Sequence, residues 1–555
     1  MPAIRVSAER SQRIKNAVEK CLREGFAPPS VSGGKGSATR EAVRRLIEAG
    51  YPETHNKIYS FIRNAEKLKA RGDESYTPDW SLYAPAGVAA ADVRRGTVHR
   101  WLVTSAQDDT DIHPRFWTNL QAYAAYLSAE ILVGGFTYQQ RRHSDRDTLT
   151  NTYRAEIRPF LRFEPMELGP VVFCADMNTL PTAARPLSGL LAYSRGRDAL
   201  FPHAKLAYQT APAPMGEHVP SLMTTGAVTV PNYIEKKAGK KAEFHHILGA
   251  TLVEVDSEGS AWCRQISAMS DGTFQDLDIQ VKNGSITLGH RIEAVTLGDL
   301  HVPSVEPEVA HNLWGRQAGS LIDALKPRYA FVHDLAAIEW HSRYVEKDPF
   351  HRAMMNASNQ SHMESQMDLC AQTVREIERD FCQPIVIYSN HDDRLLQWAK
   401  ANPERNDTKN IAYWHRCNLA FYEALDEDDD MFDMFLWALK TSDPQNLEGV
   451  GFVPRGGTFR ICQEHGGIEN GLHGDQGPNG ARGSAASFSR MASRLTIGHT
   501  HSPEIHDGVY IAGITGNLDQ GYNQGPSSWK RAHVLTYPNG KRTLITQDTY
   551  GRWRA

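Results

Sequence analysis

The sequence predicts an α/β protein preceded by a basic helical head. Three observations predict it. Short apolar runs in the C-terminal half end, one after another, in His, Asp and Asn residues, as strands do when their ends gather along one edge of a sheet. Runs with apolar residues three and four apart lie between them, the spacing of helices that connect parallel strands. The first 72 residues hold 15 Lys and Arg against 7 Asp and Glu, a local charge of about +8 in a chain of formal net charge −4. The remainder is therefore acidic, and a basic head on an acidic body points to an anionic partner.

At 555 residues, 41% hydrophobic and 23% charged, the chain has material for several cores. We divide it into a head (1–72), a polar linker (73–96), a middle α/β unit (97–290) and a C-terminal α/β domain (291–555). No apolar run has transmembrane length, and the first 15 residues lack the apolar core of a signal peptide. The seven cysteines, Cys21, Cys174, Cys263, Cys370, Cys382, Cys417 and Cys462, never stand in CxxC spacing. These features predict a cytoplasmic protein with no membrane partner, no disulfide framework and no thiolate metal site.

In the head, Ile14, Val18 and Leu22 mark a helix over 8–24. Val43, Leu46 and Ile47 mark a second over 40–49, and Ile58, Phe61, Ile62 and Leu68 a third over 54–70. Helix, Gly-containing turn and helix is the helix-turn-helix layout, whose second helix enters the DNA major groove. Lys57, Arg63 and Lys67 would lie on that helix, and Arg40, Arg44 and Arg45 would reach phosphates. A basic three-helix module for docking or dimerisation has the same pattern, and a large DNA enzyme is often a homo-oligomer.

The middle unit begins with a strand at 98–103, a helix at 116–129 and a strand at 131–134, with further strands at 170–174 and 250–255. Asp108, Asp109, Asp111 and His113 form a solvated loop that caps the helix after Pro114; a metal loop is the alternative. Lys236, Lys237, Lys240, Lys241, His245 and His246 make a basic patch, suited to a phosphate backbone or simply to solvent. The role of the unit stays open among a degenerate enzyme fold, a second nucleic-acid surface and an assembly platform.

The C-terminal domain opens with a strand over 292–297, closed by a turn at Gly298. Asp299 and His301 follow two apart, which on extended backbone directs both side chains to one point. A helix is expected over 311–325. Later strands at 329–332, 384–388 and 495–497 run into His333-Asp334, Ser389-Asn390-His391-Asp392 and Gly498-His499-Thr500-His501. His473-Gly474-Asp475 stands alone, before a Gly-rich loop (477–483), and His465 is the alternative to His473. Oxygen and imidazole donors without thiolate suit manganese, iron or zinc. The acidic run at 426–430 reads as an exposed loop, and a core helix is expected over 431–439.

These blocks, GDLH, HD, SNHD, HGD and GHTH, resemble those of the calcineurin-like metallophosphoesterase superfamily, which run D-x-H, G-D, G-N-H-D/E, H and G-H-x-H in the same order. The resemblance covers roughly 291–541. It departs where His333 and Ser389 replace glycines. It implies a four-layer αββα domain with two divalent metal ions, Mn2+ first, Fe2+ or Zn2+ otherwise. One ion would be held by Asp299, His301 and His501 and the other by Asn390, His473 and His499, with Asp334 bridging. Such a pair activates water at neutral pH and spreads the charge of an in-line displacement. The resemblance makes His391 the general acid, with Asp392 orienting it. His341 and Arg343, soon after Asp334, are candidate substrate contacts, and the segment 522–529 is read as structural.

The superfamily includes protein phosphatases, nucleotide hydrolases and nucleases. The basic head favours DNA, so a metal-dependent DNA nuclease is the expected function. A phosphomonoesterase or nucleotide phosphodiesterase, with the head used for assembly, is the alternative. An inactive metal fold serving as a DNA-binding regulator is a third, opposed by the intact donor set. In layout the chain also resembles phage-encoded metallophosphoesterases, among them early host-DNA-degrading proteins of large tailed phages, which would place it in the host cytoplasm.

Overall fold

The computed structural model describes residues 89–90, 98–139, 150–339, 348–357, 360–401, 407–491 and 493–555. The head and its candidate DNA contacts Arg40, Arg44, Arg45, Lys57, Arg63 and Lys67 lie outside the described residues, as do His341 and Arg343. By contacts the chain divides after Gly87. Everything below belongs to the second unit, Val88–Ala555, a mixed α/β structure with four sheets and ten α-helices among the described residues.

A six-stranded sheet is the frame of the C-terminal region. Its order is Gly451–Val453, Gln383–Ile387, Tyr329–His333, Ala294–Thr296, Ala532–Thr536 and Arg542–Thr546. The first four are parallel, and Ala532–Thr536 pairs antiparallel with both Ala294–Thr296 and Arg542–Thr546. The near-continuous apolar character of these strands follows from burial on both faces. Val295, Val332 and Val386 meet the helices Pro307–Trp314, Met363–Ile377 and Met434–Ser442 on one side. Ala294, Phe331, Ile385 and Ile387, displaced by one residue, point to the other face and pack on Ile461 and Ile468 of a second sheet. Phe331 is fully buried between the sheets, so truncation to Ala would cost about 3–5 kcal/mol.

The second sheet has eleven strands and ignores the boundary drawn at residue 290. Strands between Pro165 and Thr224 form one half; Arg460–Ile461, Ile468–Glu469, Arg494–Ile497, Glu504–His506 and Val509–Ile511 form the other. The halves join where Ile505 pairs with Tyr208. Ala89–Ala90, within the stretch read as linker, adds an edge strand beside Met166 and Glu167. A five-stranded sheet built on His99–Gln107 and Gly249–Val255 packs on both larger sheets: Trp101, Val103 and Val253 share a core with Tyr510, Val534 and Leu544. The middle stretch is thus woven into the C-terminal one, and no separate domain ends at 290.

Local corrections have local causes. The helix expected over 311–325 is two, Pro307–Trp314 and Leu321–Leu325. Gly315 ends the first, where a Cβ would meet the His311 carbonyl oxygen at 2.5 Å, and Ser320 caps the second by accepting from the Asp323 amide. The helix expected over 431–439 starts only at Met434, where Asp433 caps it. Gly298 is not a turn glycine: a Cβ there would lie 2.7 Å from the Ile514 carbonyl carbon, so its role is close backbone approach. His113 caps the helix Pro114–Leu127 through the Phe116 amide, and Asp111 pairs with Arg154, which gives that loop a structural use. Lys240 pairs with Glu235 and Glu243 on the surface.

Candidate metal centre

The C-terminal ends of strands from the two large sheets meet at one place. From the six-stranded sheet come Asp299 and His301, then His333 and Asp334, then Asn390 and His391. From the eleven-stranded sheet come His473, after Ile468–Glu469, and His499 and His501, after Arg494–Ile497. Backbone bonds lock the blocks together. The amides of Leu300 and His301 donate to the carbonyls of His333 and Asp334 at 3.0 and 2.8 Å, and Gly498 N–H donates to the His473 carbonyl at 2.8 Å. Gly498 has to be glycine, because a Cβ would stand 2.2 Å from Asp299 Oδ1.

The backbone is strained here. His301, Asp334, His499 and His501 all have positive φ, at 47°, 45°, 78° and 58°. Non-glycine residues avoid this region at a cost of roughly 1–3 kcal/mol each, and such strain clusters at functional sites. It also changes how Asp299 and His301 converge. Asp299 is paired to Ile514 in a parallel bridge, while His301 has already left the extended conformation and begins a 3-10 turn. The turn, rather than i,i+2 alternation, aims the imidazole.

The side chains form overlapping groups. Asp299, His301, Asp334 and His501, all buried, each offer a donor atom within 4.8 Å of the others. His501 Nε2 lies 3.1 Å from Asp299 Oδ2 and 3.1 Å from His301 Nε2. Asp334 spans the cluster: Oδ2 is 3.5 Å from His301 Nε2 and Oδ1 is 3.4 Å from His473 Nε2. A second group joins Asp299, His333 and His473, and a third His301, Glu339 and His391. His499 contributes differently. Its backbone N–H donates to Asp299 Oδ2 at 2.7 Å, and its ring meets that of His473 at 5.2 Å.

Eight buried polar atoms of this cluster have no hydrogen-bond partner among the described residues: Asp299 Oδ1, His301 Nδ1, His333 Nε2, Asp334 Oδ1, Asn390 Oδ1, His391 Nδ1, His473 Nε2 and His501 Nδ1. Buried polar groups are almost always satisfied, and each orphan costs about 1–3 kcal/mol. Cations in the cluster would give Asp299 Oδ1, Asp334 Oδ1, Asn390 Oδ1 and His473 Nε2 their partners, whereas His301 and His501 face the carboxylates through Nε2 and keep Nδ1 on the far side of the ring. The residues therefore fit the metal the sequence implies.

The electrostatics agree. Burial, with the Asp334 carboxylate close by, pushes Asp299 up to about 7. Burial would raise Asp334 too, but the imidazoles around it, His473 first, hold it well below the usual range. Burial keeps His301 and His473 neutral, the state that ligates metal. His501 goes the other way, to about 9: bonds to Asp299 and Asp334 outweigh burial, so without a cation this ring takes the proton.

Asp392 does not touch His391. Its Oδ1 accepts from the Ala336 amide at 3.0 Å and its Oδ2 from the Ser389 amide and hydroxyl at 3.0 and 2.9 Å, so it braces the turn. The groups beside His391 are Glu339, with Oε1 3.6 Å from Nδ1, and Arg394, whose Nη2 donates to Nε2 at 3.2 Å. Arg394 also holds Glu339 at 3.2 Å. Chain adjacency pointed to Asp392 because Glu339 and Arg394 belong to no motif. His465 is exposed on a 3-10 turn, while His473 is buried against Asp334. The segment read as structural forms a wall of the site: Trp529 meets the His501 ring at 4.2 Å, and Tyr522 meets Trp529 at 5.7 Å. Arg455 ties Asp475 of the HGD block to Asp393.

Compared with known proteins, the chain is similar to protein A1 of Escherichia phage T5, at 34% identity over 524 residues that cover 91% of this chain and 90% of the relative. It belongs to the A1 protein family. The match extends well beyond the clustered residues and takes in nearly all of both chains. No protein-family model matches. No solved structure matches either. Among the described residues, no helix is long and apolar enough to cross a membrane.

Proposed function

We propose that this chain is a metal-dependent DNA phosphodiesterase whose C-terminal region has the αββα layout of calcineurin-like metallophosphoesterases. The observation that carries the reading is the convergence of the GDLH, HD, SNHD, HGD and GHTH blocks on one buried cluster with eight orphaned polar atoms. Two sheets face to face, with helices on the outer face of the first and Ala485–Phe488 on the outer face of the second, support the layout.

Asp299, His301, Asp334 and His501 would hold one cation. Asp334, Asn390 and His473 would contribute to a second, with His499 beside them. When bound, the ions supply an activated water and neutralise charge on the phosphate. His391 is the proton donor to the leaving oxygen. Burial holds it down at about 4, so the ring is neutral in the free protein; a phosphate anion beside it favours the protonated form. Arg394, itself held by Glu339, fixes the plane of that ring. DNA as the substrate rests on the surplus of Lys and Arg in residues 1–72, which would bind the phosphate backbone.

The test is incubation with plasmid DNA, a nitrophenyl phosphomonoester and a bis-nitrophenyl diester, with Mn2+ or with a chelator. Mn2+-dependent loss of plasmid is expected. Cleavage of either small ester with intact plasmid would overturn DNA as the substrate. No turnover of any of the three would overturn the enzymatic reading.

A further inference from the structure

We infer that His333 is an added metal ligand, serving the second cation together with Asp299 and His473. The inference rests on the metalloenzyme reading above and concerns a residue outside the motif pattern, where the superfamily carries glycine.

The placement comes from the strand. His333 is the last residue of Tyr329–His333. Its backbone pairs with Ile387 on one side, and its carbonyl accepts from Leu300 on the other. The side chain is thereby set between the GDLH block and the eleven-stranded sheet, and it is fully buried. An imidazole in such a place has to satisfy two nitrogens. Among the described residues Nδ1 has only His473 Nδ1, at a long 3.4 Å, and Nε2 has no partner. The one carboxylate grouped with these two rings is Asp299, whose Oδ1 is also an orphan. Asp299 Oδ2 is occupied by the His499 amide and by His501. The carboxylate therefore presents one oxygen to each of two groups, as Asp334 does between His301 and His473.

His333 also answers a gap. His499, which the motif pattern would assign to the second cation, shares no donor group with Asp299, Asp334 or His473. His333 supplies an imidazole on that side. An added imidazole shifts the set toward Fe2+ or Zn2+ and away from Mg2+ or Ca2+.

The experiment measures metal content by mass spectrometry after equilibrium dialysis of the full-length protein against graded Mn2+, with Co2+ absorption spectra in parallel. Wild type is compared with His333→Gly, which restores the motif, and with His333→Phe, which keeps a ring but no donor. Wild type should bind two ions. Each folded variant should keep one at unchanged affinity and bind the other about 10–100-fold more weakly, with loss of part of the Co2+ visible band. If the glycine variant does not fold, the phenylalanine variant decides. Two ions at wild-type affinity and an unchanged Co2+ spectrum in a folded variant would overturn this inference while leaving the metalloenzyme reading intact. No bound metal in the wild type would overturn both.

Discussion

Two buried polar clusters sit in this molecule, and they are built on opposite plans. In the five-stranded sheet, Arg264 donates from Nε to both Asp276 oxygens at 2.7 and 3.0 Å and from Nη1 to Glu254. Arg100 completes Glu254 at 2.8 Å and Tyr123 completes Asp276 at 2.6 Å. None of these bonding atoms is an orphan. At the strand ends of the two large sheets, Asp299, Asp334 and their five imidazole neighbours, His301, His333, His391, His473 and His501, have among the described residues no Lys or Arg bonded to them but Arg394 on His391, and eight polar atoms go without partners there. The first cluster closes on itself and contributes to the fold. The second leaves donor atoms that a metal ion could take up.

The contrast can be broken by mutation. The largest effect expected is that of Asp334→Ala, which removes the carboxylate reaching both groups. Turnover should fall by roughly a thousandfold or more, as the loss of several kcal/mol of charge stabilisation implies, and both cations should be lost; nuclease assays with metal analysis check this. Glu254→Ala should leave metal content and rate per folded molecule unchanged but destabilise the protein by up to about 3 kcal/mol, because it takes one of two carboxylates from the buried Arg264, which keeps Asp276; denaturant unfolding measures it. His391→Ala should keep both cations and lose about 100-fold in rate, read from kcat with metal content as the control. The smallest effect has the opposite sign. Asp299→Asn in metal-free protein above pH 7 should stabilise by about 1 kcal/mol, by removing a carboxylate whose charge burial and Asp334 penalise; a loss of Tm would contradict that.

The two clusters should also part along the pH axis. Burial and Asp334 push Asp299 up to about 7. A cation displaces the proton from His501 as well as from Asp299, so Mn2+ affinity should fall as pH drops below about 9 and more steeply below about 7, measured by calorimetry. Burial alone would raise Glu254, but Arg264 and Arg100 outweigh it and hold it below its ordinary value. Its contribution to stability is present above the unfolded carboxylate pKa and is lost only as pH falls through the lower folded one. Between about pH 5 and 7, metal affinity should therefore decline while this part of the fold holds.

How much of this was legible depended on how local the signal was. Asp299, Asp334, Asn390, His473 and His501 stood out because each follows an apolar run or a glycine-bearing block, and strands expose their polar ends in that way. His473 and His465 were indistinguishable by motif; only burial separates them. Asp392 looked like the partner of His391 because it is adjacent in the chain, but the turn at Ser389 takes its carboxylate, and Glu339 arrives from a different strand end. The pairing of Ile505 with Tyr208 leaves no local trace. Neighbours nearly three hundred residues apart are chosen by packing, so the joined sheet and the false boundary at 290 could not be read from periodicity. His333 was visible as a departure, but its burial against His473 was not.

The most direct test is the metal count of the purified full-length chain. Equilibrium dialysis against Mn2+ followed by elemental analysis should give two ions per wild-type chain and none per Asp334→Ala chain, with the Tm of wild type alone rising on metal addition. A wild-type chain that binds no metal, or an Asp334→Ala chain that binds as much as wild type, would contradict the account.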